Sequence, residues 1–270
     1  MPQYQTLNFT CIDHIAHVEL NRPEKRNAMD MNMWEELHAA FKHCDENPSV
    51  RVVLLTGAGA MFCAGIDLSL FAQLQMPEEN CAGRKREKLR LFIKKLQDCL
   101  NQIERCRKPV IAAVHGQAIG GALDMLACCD MRYCSEDALF SIKEIDLGMT
   151  ADVGSLQRLP YIIGDGIMRE LAYTGRMVKA DEACNIGLVN QVYADRNALL
   201  DAVTQLAHEI ASKSPLAMRG TKEAILYTRD HSVSDGLNYI ATWNAAMIMS
   251  DDLQEAMNAM KEQRKPNFKD

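Results

Sequence analysis

Alternating apolar and polar positions open the chain. Residues 4–10 and 14–20 follow a period of two and predict a strand pair. The polar stretch Asn21-Arg-Pro-Glu-Lys-Arg-Asn27 reads as a loop. Over residues 30–45, Met31, Met33, Trp34, Leu37, Phe41 and Cys44 form an apolar stripe, which predicts a helix. Two runs, Arg51-Val-Val-Leu-Leu-Thr56 and Pro109-Val-Ile-Ala-Ala-Val-His115, are apolar almost throughout, as in strands covered on both faces. Each ends at a glycine, Gly57 or Gly116, and leads through a glycine-rich turn toward a helix. Shorter strands are predicted at 131–134, 138–142 and 188–193. This strand–turn–helix order predicts an α/β core.

Beyond about Asn197 the pattern changes. Residues 198–212, 215–228, 234–249 and 251–263 all read as helices. Pro215 suits the first turn of the second of these. Asp251-Asp-Leu-Gln-Glu is a favourable acidic start for the last. The expected organisation is an α/β core over 1–197 and a helical region over 198–270. No internal repeat or low-complexity linker is evident.

Composition narrows the function. The net charge of −6 argues against general nucleic-acid binding, which needs a basic footprint. One basic stretch, Arg84-Lys-Arg-Glu-Lys-Leu-Arg90, continues to Lys94-Lys95. Its apolar partners Leu89, Phe92, Ile93, Leu96, Leu100 and Ile103 recur at helical spacing, so it reads as the wet face of a helix. Attraction of a phosphorylated ligand is the alternative. Sixteen methionines suit either gap-filling in a core or contact with a flexible, oily ligand.

Ten cysteines without a CxxC pair fit buried thiols in a reducing compartment. The histidines lack HxxxH spacing and no acidic cluster resembles a metal site, so no metal is expected. Residues 109–129 approach transmembrane length, but His115, Gln117 and Asp124 favour a strand, a turn and a helix. Met1-Pro-Gln-Tyr-Gln does not open like a signal peptide, and Asn267-Phe-Lys-Asp270 is not a peroxisomal address. The expectation is a cytoplasmic protein without a membrane partner.

Three carboxylates, Asp124, Glu144 and Asp152, fall in stretches that otherwise read as buried. A lone carboxylate moved out of water costs several kcal/mol unless paired, hydrogen-bonded or protonated. Three so close in sequence suggest a site that moves protons. Familiar motifs do not explain them. After Gly57-Ala-Gly59, the third glycine of a dinucleotide fingerprint would fall at Phe62. Ser155 is not a nucleophile elbow, because its flanking positions hold Val153 and Gln157. Two glycine turns, Phe62-Cys-Ala-Gly-Ile-Asp-Leu68 and Gly116-Gln-Ala-Ile-Gly-Gly121, could each present backbone N–H groups above a sheet. Two such donors on one carbonyl oxygen make an oxyanion hole; ordinary strand-to-helix turns would read the same.

Through these segments the chain resembles the enoyl-CoA hydratase/isomerase (crotonase) superfamily over essentially its whole length. The resemblance runs through Asn21–Met29, Phe62–Leu68, Gly116–Asp130, Lys143–Gly148 and Thr174-Gly175. The triple Asp124, Glu144 and Asp152 makes it look most like the Δ3,5-Δ2,4-dienoyl-CoA isomerase branch. Hydratases of the superfamily typically have Glu where Asp124 stands and a small residue where Asp152 stands.

The resemblance implies a crotonase-like spiral of ββα units with a helical C-terminal trimerisation region. It implies a homo-oligomer, a trimer or a dimer of trimers. It implies an acyl-CoA thioester substrate and no separate cofactor, coenzyme A being part of the substrate. The implied reaction converts 3,5-dienoyl-CoA to 2,4-dienoyl-CoA, in fatty acid β-oxidation. Ile66 and Gly121 would donate the oxyanion-hole N–H groups. Ala64, Gly65, Ile66, Asp67 and Leu68 would line the thioester, and Arg26 to Ala28 would approach the coenzyme. Glu144 would take the proton from carbon 2 and Asp152 would supply one to carbon 6. Asp124 would raise a neighbour's pKa. The carboxylates of Asp67, Asp130 and Asp146 are read as structural, and His115 as a satisfied strand-end residue. A 2-enoyl-CoA hydratase, a 3-enoyl-CoA isomerase and a non-catalytic acyl-CoA-binding protein remain the alternatives.

Overall fold

The computed structural model describes residues 2–70 and 81–270. Strands β1 (Leu7–Ile12) and β2 (Ile15–Leu20) pair antiparallel, as their alternation predicts. Helix α1 (Met31–Glu46) follows, its start capped by the Asp30 side chain accepting from the Met33 N–H. Then come β3 (Val52–Gly57) and the long helix α2 (Ala82–Arg105). β4 (Val110–Val114), β5 (Gln117–Ile119) and helix α3 (Gly121–Ala127) form the next unit. β6 (Met131–Ser135) and β7 (Leu139–Ser141) lead to a 3-10 turn, Glu144–Leu147. Short helices α4 (Ser155–Arg158), α5 (Pro160–Ile163) and α6 (Asp165–Thr174) precede β8 (Val178–Lys179), α7 (Ala180–Asn185) and β9 (Gln191–Tyr193). Helices α8 (Arg196–Ala211), α9 (Pro215–Arg229), α10 (Val233–Met247) and α11 (Asp251–Lys261) complete the chain.

The larger sheet has the order β1-β2-β3-β4-β6-β9, parallel from β2 onward. The smaller has the order β5-β7-β8. Two isolated parallel bridges, Cys63 with Ala118 and Met29 with Ile66, extend the second layer beyond β5. The chain therefore winds repeatedly from the large sheet to the small layer and then to a helix. β2, Met29 and α1 make one turn; β4, β5 and α3 make another.

Period-two burial explains why β3 is apolar throughout. Val53 and Leu55 join the core built with Trp34, Leu37 and Phe41 of α1 and Leu100 and Ile103 of α2. Val52 and Leu54 face the other way and pack with Leu199, Val203 and Ala207 of α8. Each large side chain so buried contributes roughly 1.5–3 kcal/mol, enough to hold α8 on the sheet. The basic stretch lies on the exposed side of α2, while Leu96, Cys99, Leu100 and Ile103 are buried. The sequence reading placed a turn where β5 forms. Three residues leave too short a pattern to register, and β5 exists because β7 pairs with it.

Candidate active site

Pairing of β5 with β7 sets the site. Ile119 lies level with Ser141, and the Gly120 N–H donates to the Ser141 carbonyl at 2.9 Å. The chain leaves β5 at Gly120 and, after β7, enters the 3-10 turn at Glu144, so the two exits lie side by side. Gly120 has φ 55° and ψ −120°, a combination that side chains disfavour. A Cβ at Gly120 would stand 3.1 Å from Glu144 Oε1, so the missing side chain lets this carboxyl approach the backbone beside Gly121.

The second glycine turn meets the same place. Gly65 has φ +92°, and a Cβ there would lie 2.5 Å from the Ile119 carbonyl oxygen and 3.5 Å from the Gly121 nitrogen. A Cβ on Gly121 would lie 3.7 Å from the Ile66 nitrogen. The Ile66 and Gly121 N–H groups are thus neighbours, and neither finds an acceptor among the described residues. Adjacent donors are committed: Gly65 N–H to Cys63 Sγ, Asp67 N–H to the Met29 carbonyl, and Gly120 N–H to Ser141. Two uncommitted amides side by side are what a developing oxyanion requires.

The loop read as facing the coenzyme runs beside this segment. Ala64 N–H donates to the Arg26 carbonyl and Met29 N–H to the Gly65 carbonyl. The Arg26 residue and Leu68 are exposed, and Ala28 is half-buried. Asp67 behaves as structural: it pairs with Arg22 at 3.2 Å and accepts from the Ser69 N–H. Those hydrogen bonds, from Ser69 first and Arg22 next, hold its carboxyl below the usual range.

Sequence reasoning missed Asn27 and Arg22 as individuals. Asn27 is fully buried, and its amide donates to the carbonyls of Ala58, Met61 and Phe62. Arg22 ties Asp30, Asp67 and the Ala28 carbonyl together. A buried Asn beside a loop was the available signal, but its burial is set by residues about 30 positions away.

The three carboxylates converge unequally. Asp124, one turn into α3, is fully buried. Its Oδ1 accepts from the Ser155 N–H at 2.5 Å, while its Oδ2 has no partner among the described residues. Glu144 is half-buried, with Oε2 enclosed and likewise unpartnered. Neither Lys143 nor Arg132 pairs with it. Lys143 pairs with Asp146 at 2.5 Å, and Arg132 donates to the Leu188, Leu126 and Cys129 carbonyls. Asp152 differs from the expected burial: it is exposed, pointing outward between the buried Ala151 and Val153. Protein around its carboxyl nonetheless raises its pKa. Asp130 is structural, paired with Lys222 at 2.7 Å. His115 is satisfied by the Gly59 carbonyl at 2.9 Å.

Burial, then the charges of Glu144 and Asp152, push Asp124 up to about 7. Burial, then Asp152, raises Glu144. Asp124 was expected to raise a neighbour; in the structure the largest push falls on Asp124 itself, the most desolvated of the three. The folded protein therefore holds a proton on Asp124 that the unfolded chain releases from about pH 4. This contribution to stability is full below pH 4 and is lost as pH rises through about 7. Asp124→Asn is expected to match the wild-type melting temperature at about pH 3.5, to exceed it increasingly above about pH 4, and to show the full gap at about pH 8. Calorimetry across that range checks this, and a gap independent of pH would contradict it.

A profile of the Enoyl-CoA hydratase/isomerase family matches residues 12–270. The chain belongs to the enoyl-CoA hydratase/isomerase family. One relative in this family, "Delta(3,5)-Delta(2,4)-dienoyl-CoA isomerase, peroxisomal" of Arabidopsis thaliana, is 46% identical, covering 99% of this chain and 98% of its own. The mitochondrial protein of the same name from Homo sapiens is 47% identical, covering 97% of this chain and 80% of its own. A crystal structure of an enoyl-CoA hydratase from Bacillus anthracis superposes with a TM-score of 0.89 at 33% identity, covering 98% of this chain and 99% of that one. The α/β architecture is thus the crotonase fold.

The cytoplasmic expectation is corrected. Relatives at 46% and 47% identity are named peroxisomal and mitochondrial, which points to an organelle. Net charge and buried thiols report on folding and redox state, whereas receptors read the address. Among the described residues no helix is long and apolar enough to cross a membrane.

Proposed function

We propose that the protein isomerises 3,5-dienoyl-CoA to 2,4-dienoyl-CoA, as an enzyme of fatty acid metabolism acting in β-oxidation. The observation that carries this reading is the Glu144 carboxyl, whose enclosed Oε2 has no partner among the described residues, beside the Ile66 and Gly121 amides, which find no acceptor among them, with Asp152 close enough to raise the Glu144 pKa. The thioester oxygen sits on the two N–H groups. Glu144 removes a proton from carbon 2, and the charge spreads over the thioester oxygen and the conjugated chain. Asp152 delivers a proton to carbon 6, and both carboxyls reset by exchange. No step calls for a separate cofactor. Ala64, Gly65, Ile66, Asp67 and Leu68 line the thioester, with Arg26 and Ala28 toward the coenzyme. Asp124 holds the proton balance of the pocket and fixes the start of α4 through Ser155.

The test is absorbance monitoring of a synthetic 3,5-dienoyl-CoA. Growth of the 2,4-dienoyl thioester band supports the assignment. Rapid formation of a 3-hydroxyacyl thioester from a 2-enoyl-CoA, as the main activity, would sink it. A hydratase would also leave Asp152 without a task.

The same reading treats 1–197 as the acyl-CoA core and 198–270 as the oligomerisation region, with the difference that α8 packs on the large sheet and so belongs with the core. Val233, Leu237, Met249, Met257 and Met260 on and between α10 and α11 are exposed apolar groups, which suits burial against further copies. Sedimentation at equilibrium is expected to give a trimer or a dimer of trimers; a monomer's mass at micromolar concentration would count against it.

A further inference from the structure

We infer that Gln97 is a positioning residue for Asp152, an inference that rests on the role proposed for Asp152 above. The Asp152 loop has little hydrogen-bonded framework of its own. Thr150 to Val153 makes no backbone–backbone hydrogen bond among the described residues. The loop is bounded by Gly148 at φ +70° and Gly154 at φ +146°. The Asp152 carboxyl is steadied locally only by its own backbone. Ala151 and Val153 are buried in the core on either side of Asp152, and the hydrogen bond that reaches the Asp152 peptide from outside comes from the Gln97 side chain, whose Nε2 donates to the Asp152 carbonyl at 2.7 Å across 55 residues of sequence.

Gln97 is part of a set. Gln97, Asn101 and Glu104 lie at i, i+4 and i+7 on α2 and share one face. Asn101 Oδ1 accepts from Arg158 Nη2 at 2.7 Å, and Glu104 accepts from Arg158 at 3.0 Å through both oxygens. Burial would raise the Glu104 carboxyl, but hydrogen bonds from Arg158 and Arg229 outweigh it and hold it low. Arg158 in turn sits against Gly154, where a Cβ would come within 2.4 Å of Nη1. The α2 stripe thus grips the loop at two points, at 152 directly through Gln97 and at 154 through Arg158. Between them lies a cavity of about 350 Å³ lined by Gln97, Asn101, Asp152, Arg158 and Arg229.

The division of labour follows from what each contact touches. The Arg158–Glu104 pair anchors the far end of the loop. Gln97 fixes the peptide that carries the Asp152 side chain, and with it the aim of the carboxyl toward carbon 6. Among the described residues the Gln97 side chain hydrogen-bonds only to a backbone carbonyl, so it acts through Asp152.

Gln97→Met keeps the length and removes the donor. It is expected to lower kcat for a 3,5-dienoyl thioester roughly ten-fold with KM within about two-fold, the pattern of a misaimed group. In an Asp152→Asn background the same change is expected to cost nothing further, because there is no acid left to aim. Gln97→Lys, which retains a donor of similar reach, is expected to keep most of the rate and serves as the folding control. Equal loss in both backgrounds would reduce Gln97 to general support and overturn the inference, as would no loss in either. Full activity of Asp152→Asn alone would instead remove the role of Asp152, a separate failure.

Discussion

Replacing Glu144 with glutamine is expected to lower kcat on a 3,5-dienoyl thioester by on the order of 100–10,000-fold. The substitution keeps volume and reach but removes the base. Lys143, beside it in the chain, gives no substitute, being engaged by Asp146, and Asp124 is sealed and holds its own proton up to about pH 7. The fold should tolerate it, because the enclosed Oε2 has no partner among the described residues to lose. KM should change little, since the acyl-CoA contacts lie on the 26–28 and 64–68 segments. Steady-state kinetics with a melting curve checks both parts. A variant that retains wild-type kcat would show that carbon 2 is deprotonated by another group.

Asp152→Asn should cost a similar factor by a different route. Deprotonation at carbon 2 relies on Glu144 and the two amides and should continue. Only delivery to carbon 6 is lost. The dienolate then returns its proton to carbon 2, so substrate in D₂O should acquire deuterium at carbon 2 while conversion falls by about 100–10,000-fold. Proton NMR of the recovered substrate reads the exchange and absorbance reads the conversion. Loss of exchange together with conversion would mean that Asp152 is needed for the first step or for the shape of the pocket. Its partial exposure makes a gross folding defect a poor explanation of any loss.

Much of this was legible in the residues, for reasons that differ by element. α1 and the helices after 196 are amphipathic and capped by their own sequence, as at Asp30, Ser214, Ser232 and Ser250. β3 and β4 announced themselves as continuous apolar runs because both faces are covered, by α1 and α2 on one side and α8 on the other. β5 was hidden because three residues have no period and its partner lies about 20 positions on. The three carboxylates stood out by type, and the structure brings them within electrostatic reach of one another. The burial of Asp124 was legible from its apolar flanks, but that of Asp152 was misread, since the depth of a loop depends on what it crosses. Asn27 and Gln97 stayed invisible for the same reason. Each acts on a backbone far away in sequence, and nothing in a loop Asn or a helical Gln advertises that.

The most direct test of the account is turnover of a 3,5-dienoyl-CoA by the wild-type protein in D₂O, with the product examined by NMR. Because Asp152 is open to solvent, the product should be a 2,4-dienoyl thioester carrying deuterium at carbon 6 and one hydrogen fewer at carbon 2. Deuterium at carbon 4, or a hydroxyl at carbon 3, would contradict proton transfer between the two ends of the diene.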